Sequence, residues 1–168
     1  MLRLHMACAG LLLASTAMAA DPPPEIRRPV APPQADGVLH TLRTIPEACA
    51  RIEGRFTGDA AAPYTLGAVR TGARCQARAQ LEQLPKPPVG PGWRLNDVLR
   101  VPSAACPSRM AVVRVWRKPA DTAAPRMDAQ GKARIYLKEG LDAARSGTLG
   151  AVPRFAVVLE MEGGTDCR

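Results

Sequence analysis

The sequence predicts a mostly β protein: a single antiparallel sheet, a sandwich or a barrel-like domain with at most one short helix, stapled by two disulfides. Several segments alternate polar and apolar residues with a period of two, which is typical of half-buried strands. The cysteines that follow the first residues are even in number, which is typical of disulfide bonding. The chain has 168 residues, the size of one domain.

Residues 1–19 have the pattern of a secretory signal peptide. A basic start at Arg3 is followed by an apolar run around Leu12 and by small residues that end at Ala19. The run is shorter than the roughly 20 apolar residues that a membrane span needs. We therefore expect cleavage after Ala19, which would also remove Cys8, and a periplasmic or secreted protein.

The chain that follows is divided by proline. Residues 20–37 are proline-rich, and because proline fixes φ and lacks an amide donor, we expect a disordered, extended tether. Residues 38–168 form the predicted β domain, which a second proline cluster at 85–92 divides. Helical periodicity is confined to 138–145.

Strands are predicted from alternation at 50–57, 65–81, 110–117 and 154–162, with weaker candidates at 98–101 and 133–138. Residues 58–63 fit a hairpin loop between the first two strands. Residues 44–53 allow two interpretations. Thr44 and Glu47 match a helical capping box, whereas the alternation favours a strand that begins at Cys49 or Ala50, after a bend or a single helical turn; we favour the strand.

Four cysteines remain in the expected mature chain: Cys49, Cys75, Cys106 and Cys167. In an exported protein they predict two disulfides. If Thr57 faces Thr65 across an antiparallel hairpin, Cys49 falls near Cys75. If the 109–117 strand pairs with the 154–162 strand, Cys106 falls near Cys167. The predicted bridges are therefore Cys49–Cys75 and Cys106–Cys167.

The charge pattern predicts a binding surface. The formal net charge is +8, which favours anionic partners through a long-range field. If 65–81 is one strand, its arginines project from one face, and arginines of the neighbouring strand join them. The predicted anion-binding set is Arg70, Arg74, Arg78, Arg51 and Arg55. Guanidinium groups in a row recognise phosphate, sulfate or carboxylate.

Evidence for catalysis is weak. The expected mature chain has one histidine, His40, and no G-x-S-x-G context surrounds a serine. No cysteine spacing or calcium-loop pattern predicts a metal, and no glycine motif predicts a phosphate-bearing cofactor. Few aromatic residues are available to stack on bases, which argues against nucleic acid. We therefore expect no catalytic residues, no metal and no cofactor.

The sequence predicts an exported, non-enzymatic protein that binds an anionic envelope component or an acidic protein through the arginine-rich face. One alternative is a protein inhibitor of a hydrolase, with the contact loop at 85–91 or 119–131. A less favoured alternative is a hydrolase built from carboxylates such as Glu160 and Glu162, which lie on one face of the last predicted strand.

Overall fold

The computed structural model describes residues 22–118 and 153–164, which form two β-sheets. The first sheet has the strand order β1-β2-β3 and is antiparallel: β1 His40–Ile45, β2 Ala50–Phe56 and β3 Tyr64–Arg70. The second has the order β4-β7-β6-β5: β4 Gln80–Leu84, β5 Arg94–Pro102, β6 Arg109–Lys118 and β7 Arg154–Gly163. The mostly β class is confirmed, as two sheets.

The three-stranded sheet follows the alternation of β2. Ala50, Ile52, Gly54 and Phe56 are buried, and Arg51, Glu53 and Arg55 lie on the other face. Strand β1, which the sequence did not predict, pairs with β2 from His40 opposite Gly54 to Ile45 opposite Ala50, with a bulge near Arg43. The pattern of β1 was missed because its buried members include a charged side chain, Arg43.

The β2–β3 hairpin is confirmed, but its register differs from the prediction. Phe56 faces Tyr64, so the predicted facing pair of Thr57 and Thr65 is wrong. Thr57 instead closes the loop, because its amide donates to the carbonyl of Pro63 at 3.1 Å and its hydroxyl to the carbonyl of Ala62 at 2.6 Å. Such local side-chain bonds favour a turn over further strand pairing.

Residues 44–53 combine the two elements that the sequence suggested. A single 3₁₀ turn, Pro46–Ala48, precedes β2, which begins at Ala50 as expected. No side chain caps the turn, so the capping box does not form. Cys49 ends the turn in the left-handed conformation at φ 50° and donates its amide to the carbonyl of Pro46 at 3.0 Å.

The long strand predicted over 65–81 is wrong in its second half. β3 ends at Arg70, and the next strand begins only at Gln80. The intervening residues form a loop, which is exposed over most of its length. Their alternating small residues, Ala73, Cys75, Ala77 and Ala79, bury too little apolar area to hold a strand against a core.

The four-stranded sheet contains the most deeply buried residues of the described chain. Ala111, Val112, Val113 and Val115 of β6 are fully buried. One face of the sheet packs against the three-stranded sheet in a shared core that includes Ile52 and Val113, and the other face carries a second apolar cluster around Trp116. The strands predicted at 98–101, 110–117 and 154–162 are confirmed within β5, β6 and β7. β4 pairs with β7 in parallel, which the sequence did not predict.

The segment expected to be a disordered tether packs against β5, and we call residues 22–37 the strap. Ile26 is 5% exposed and forms a parallel bridge with Asp97. The amides of Ile26, Ala31 and Gln34 donate to backbone carbonyls of β5 at 2.8–2.9 Å. The non-proline residues thus supply the donors that the prolines lack, and Ile26 supplies the apolar contact.

One predicted disulfide, Cys49–Cys75, is confirmed, with a Cα–Cα distance of 5.8 Å. The second stays a prediction because Cys167 lies outside the described residues; Cys106 is buried before β6. The signal peptide, the strand candidate 133–138, the helical segment 138–145 and the candidate loop 119–131 also lie outside them.

Candidate anion-binding surface

The predicted arginine row is divided between two faces of the three-stranded sheet. Directly opposed residues of an antiparallel pair lie on the same face. Arg51 opposes Val69 and Arg55 opposes Thr65 on the outer face, whereas Arg70 opposes Ala50 on the inner face. Arg51 is also paired, since its Nε lies 2.6 Å from Oε1 of Glu53. The five arginines are therefore not one row.

Arg70 organises the loop that follows β3. Its Nε donates to the carbonyl of Gly72 at 3.1 Å and its Nη2 to the carbonyl of Cys75 at 2.5 Å. A guanidinium with two backbone carbonyls bound is a positioning group for the loop. We call residues 71–79 the basic loop.

Four further contacts anchor the basic loop to the 3₁₀ turn. Cys75 is bonded to Cys49, and the amide of Thr71 donates to the carbonyl of Cys49 at 2.9 Å. The carbonyl of Glu47 accepts the amides of Arg78 at 2.7 Å and Ala79 at 2.9 Å. The side chain of Glu47 is partly buried, and this burial raises its pKa. The loop is thus fixed at both ends and in the middle.

Arg74 and Arg78 are the exposed cations of the basic loop. Within residues 22–118 and 153–164, neither side chain makes an ion pair or a hydrogen bond, and the same holds for Arg55. Both remain available to an external anion. The loop, rather than a strand face, is where the structure places them.

Many carboxylates of the described chain are already paired with arginines. Asp97, fully buried, accepts from Arg28 at 2.8 Å and from Arg43 at 3.1 Å. The remaining carboxylate–arginine pairs are Glu25–Arg117, Glu53–Arg51, Glu82–Arg154, Glu160–Arg114 and Glu162–Arg114. Within the described residues, this pairing leaves Arg55, Arg74 and Arg78 among the exposed cations that no carboxylate compensates.

Glu25 shows how this pairing fixes the strap. Burial alone would raise its pKa, but hydrogen bonds from Arg117 and Asn96 and the nearby charge of Arg117 bring its pKa below the usual value. The contacts measure 2.5 and 2.6 Å to Arg117 and 2.8 Å to Asn96. Glu25 is therefore a charged anchor that joins the strap to β5 and β6.

His40, considered in the sequence as a lone general base, lies in a structural hydrogen-bond pair. Its Nε2 is 2.7 Å from the hydroxyl of Tyr64 and its Nδ1 is 3.2 Å from the carbonyl of Val38. Because a carbonyl only accepts, Nδ1 carries the proton, and Nε2 accepts from Tyr64. Burial lowers the pKa of His40 and raises that of Tyr64.

A cavity of about 320 Å³ between the strap, β1 and β5 was missed by sequence reasoning. Its lining includes Pro29, Ala31, Leu42 and Val101, with Arg28 and Arg100 as the cations and no carboxylate among the residues described there. No local sequence signal could have found it, because its lining combines residues of the strap, β1 and β5, which are far apart in the chain.

One residue of the loop suggested for hydrolase inhibition has a highly exposed side chain. Val89, in the proline-rich segment 85–92, is 93% exposed. Inhibition of a hydrolase is not tested by this exposure and stays a prediction, as does the carboxylate-based hydrolase.

Among the described residues, no cluster of three or more His, Cys, Asp or Glu side chains has the geometry to hold a metal ion. Within those same ranges there is no helix of the length and apolarity needed to cross a bilayer. Comparison with protein-family models, with curated proteins and with solved structures found no match to this chain.

Proposed function

We propose that this protein is a non-enzymatic, exported binding protein that holds an anionic partner, an envelope component or an acidic protein, through the basic loop. The observation that carries the proposal is the pair Arg74 and Arg78, which are exposed, without ion pairs in the described chain and presented by an anchored loop. Anchoring lowers the conformational entropy that binding must remove.

Two further observations support it. Most carboxylates of the described residues are paired with arginines, whereas Arg74 and Arg78 are exposed and unpaired there, and exposed cations attract anions at long range. The Cys49–Cys75 bond suits an oxidising compartment, where exported proteins keep their disulfides.

The test replaces the two exposed cations. Arg74→Gln/Arg78→Gln should weaken binding to phosphatidylglycerol vesicles or to immobilised polyglutamate. Exposed ion pairs contribute at most about 1 kcal/mol each, so two give a loss of at most about 30-fold. Affinity should be measured at low and high salt, since salt screens exposed charges.

The matched control is Arg27→Gln/Arg94→Gln, which removes the same charge from exposed positions outside the loop. Binding that falls in the loop variant and not in the control supports the proposal. Equal losses in the two variants would mean that only net charge matters, and unchanged binding in both would remove the proposal's basis.

A further inference from the structure

Strands β3 and β4 are the edges of two different sheets, and no ladder joins them. Between them runs a groove. Its two parts measure about 40 Å³ and about 310 Å³ and share Ala68 of β3 and Leu81 of β4 in their linings. We call it the edge groove.

Backbone groups of β3 point into the edge groove. The amide of Thr71 donates to the carbonyl of Cys49, and hydrogen-bonded and non-hydrogen-bonded pairs alternate along an antiparallel ladder. Thr65, Gly67 and Val69 therefore bond to β2, whereas the amides and carbonyls of Leu66 and Ala68 point to the open edge. In the described chain, no backbone hydrogen bond joins those two residues to another element.

The facing strand has the same property. The amide of Gln80 donates to the carbonyl of Pro153 at 2.9 Å, so alternate residues of β4 bond to β7. The backbones of Leu81 and Gln83 then point away from β7. Unpaired strand edges of this kind are templates for another strand.

The lining of the edge groove lets another backbone approach. Ala48, Ala50 and Ala77 are small, and a side chain added at Gly67 would meet nothing within 4 Å. Leu66, Leu81 and Val157 provide an apolar floor in the narrower part. Alternate side chains of an added strand would find small apolar positions there.

The charge of the groove differs between its two ends. Arg70 and Ala77 line the wider part, and Ala77 lies next to Arg78 in the basic loop. At the narrower end Glu82 is paired with Arg154 at 2.7 Å. The cationic end therefore favours a partner with carboxylates at one end of its extended segment.

We propose that an extended segment of an acidic protein adds to the free edge of β3 as an extra strand, with its carboxylates at Arg74 and Arg78. The inference rests on the proposed function and names its partner class. Backbone hydrogen bonds to Leu66 and Ala68 hold the segment, and the basic loop sets its direction.

The test uses a synthetic peptide with two aspartates followed by alternating valine and threonine. Binding is followed by fluorescence anisotropy and by amide shifts of the labelled protein. The same peptide N-methylated at alternate residues cannot donate along one edge, and a peptide with two lysines reverses the charge. We expect about tenfold weaker binding for the N-methylated peptide and about 30-fold weaker binding for the lysine peptide.

The protein variant is Ala68→Pro, which removes the amide that points into the groove. Proline is tolerated on an edge strand where the lost amide makes no ladder bond. Ala68→Ser, which keeps the amide, is the matched control. We expect Ala68→Pro to lose about tenfold in affinity, because one backbone hydrogen bond is lost, and the serine variant to bind as the parent does. The N-methylated peptide keeps the test decisive if the proline variant does not fold.

The failures are distinguishable. If N-methylation and Ala68→Pro have no effect while Arg74→Gln/Arg78→Gln weakens binding, anions bind without strand addition, and only this inference is overturned. It is likewise overturned if vesicles bind and the peptide does not, or if the protein dimerises and Ala68→Pro makes it monomeric. If no anionic probe binds, the proposed function fails as well.

Discussion

The two sheets of this protein are held together in different ways. β6 in the four-stranded sheet is buried over most of its length, with Val112, Val113 and Val115 fully covered. β3 in the three-stranded sheet is exposed from Ala68 to Arg70, and its far end is held by the Cys49–Cys75 bond. Burial therefore stabilises the four-stranded sheet, whereas a cross-link supplements the smaller burial of the three-stranded sheet. The less buried sheet is also where an unpaired edge and unpaired cations are available for binding.

The largest expected effect concerns the ion cluster that joins the two sheets. Asp97→Asn removes the charge that holds Arg28 of the strap and Arg43 of β1, whose side chain is 4% exposed. Breaking a buried pair by changing one partner costs about 3–5 kcal/mol, because a buried charge is left uncompensated. The free energy of unfolding in urea measures this loss.

Glu82→Gln is the control for that change, because the paired side chains of Glu82 and Arg154 are 35% and 48% exposed. Exposed pairs contribute about 0–1 kcal/mol. Equal losses for the two substitutions would show that the Asp97 cluster does not join the sheets.

The next effect tests the cross-link. Replacing Cys49 and Cys75 together by serine should reduce the free energy of unfolding by up to about 3.6 kcal/mol, the chain-entropy value for a loop of this length. Because the bond lies at the edge of the three-stranded sheet, hydrogen exchange should rise first in β3 and the basic loop, and least in β6. A uniform rise across both sheets would contradict the comparison.

The smallest effect is a pH dependence at the hydrogen-bond pair of β1 and β3. Since the pKa of His40 is lowered in the folded protein, its contribution to stability is complete above the unfolded value and is lost as the pH falls through the folded value. Melting temperatures between about pH 8 and pH 5 should fall more for the parent protein than for His40→Gln. Identical slopes would show that protonation of His40 costs the fold nothing.

The candidate site shows where sequence reasoning stops. Charge alone predicted Arg74 and Arg78 as candidates, and both are exposed in the structure. Their placement on a strand was wrong, because Ala73, Ala77 and Ala79 alternate without the apolar bulk that a strand face needs. Arg70 shared the pattern, yet in the structure it binds the carbonyls of Gly72 and Cys75. The edge groove depends on the relative positions of β3 and β4, and no local sequence pattern predicts these positions.

The amino-acid order by itself determined the strands β2, β6 and β7, the hairpin that joins β2 to β3, and the pairing of Cys49 with Cys75. The strands follow from the two-residue repeat of the pleat. The short link between β2 and β3 brings the chain after β3 close to Cys49, although Cys75 itself lies in the basic loop and not on the ladder that the pairing was argued from. Tertiary structure alone decided the position of the strap on β5, the parallel β4–β7 pair and the buried Arg43–Asp97 contact. Each joins residues that are far apart in the chain. The free energy that stabilises these contacts comes from burial and charge pairing, which exist only when the chain has folded.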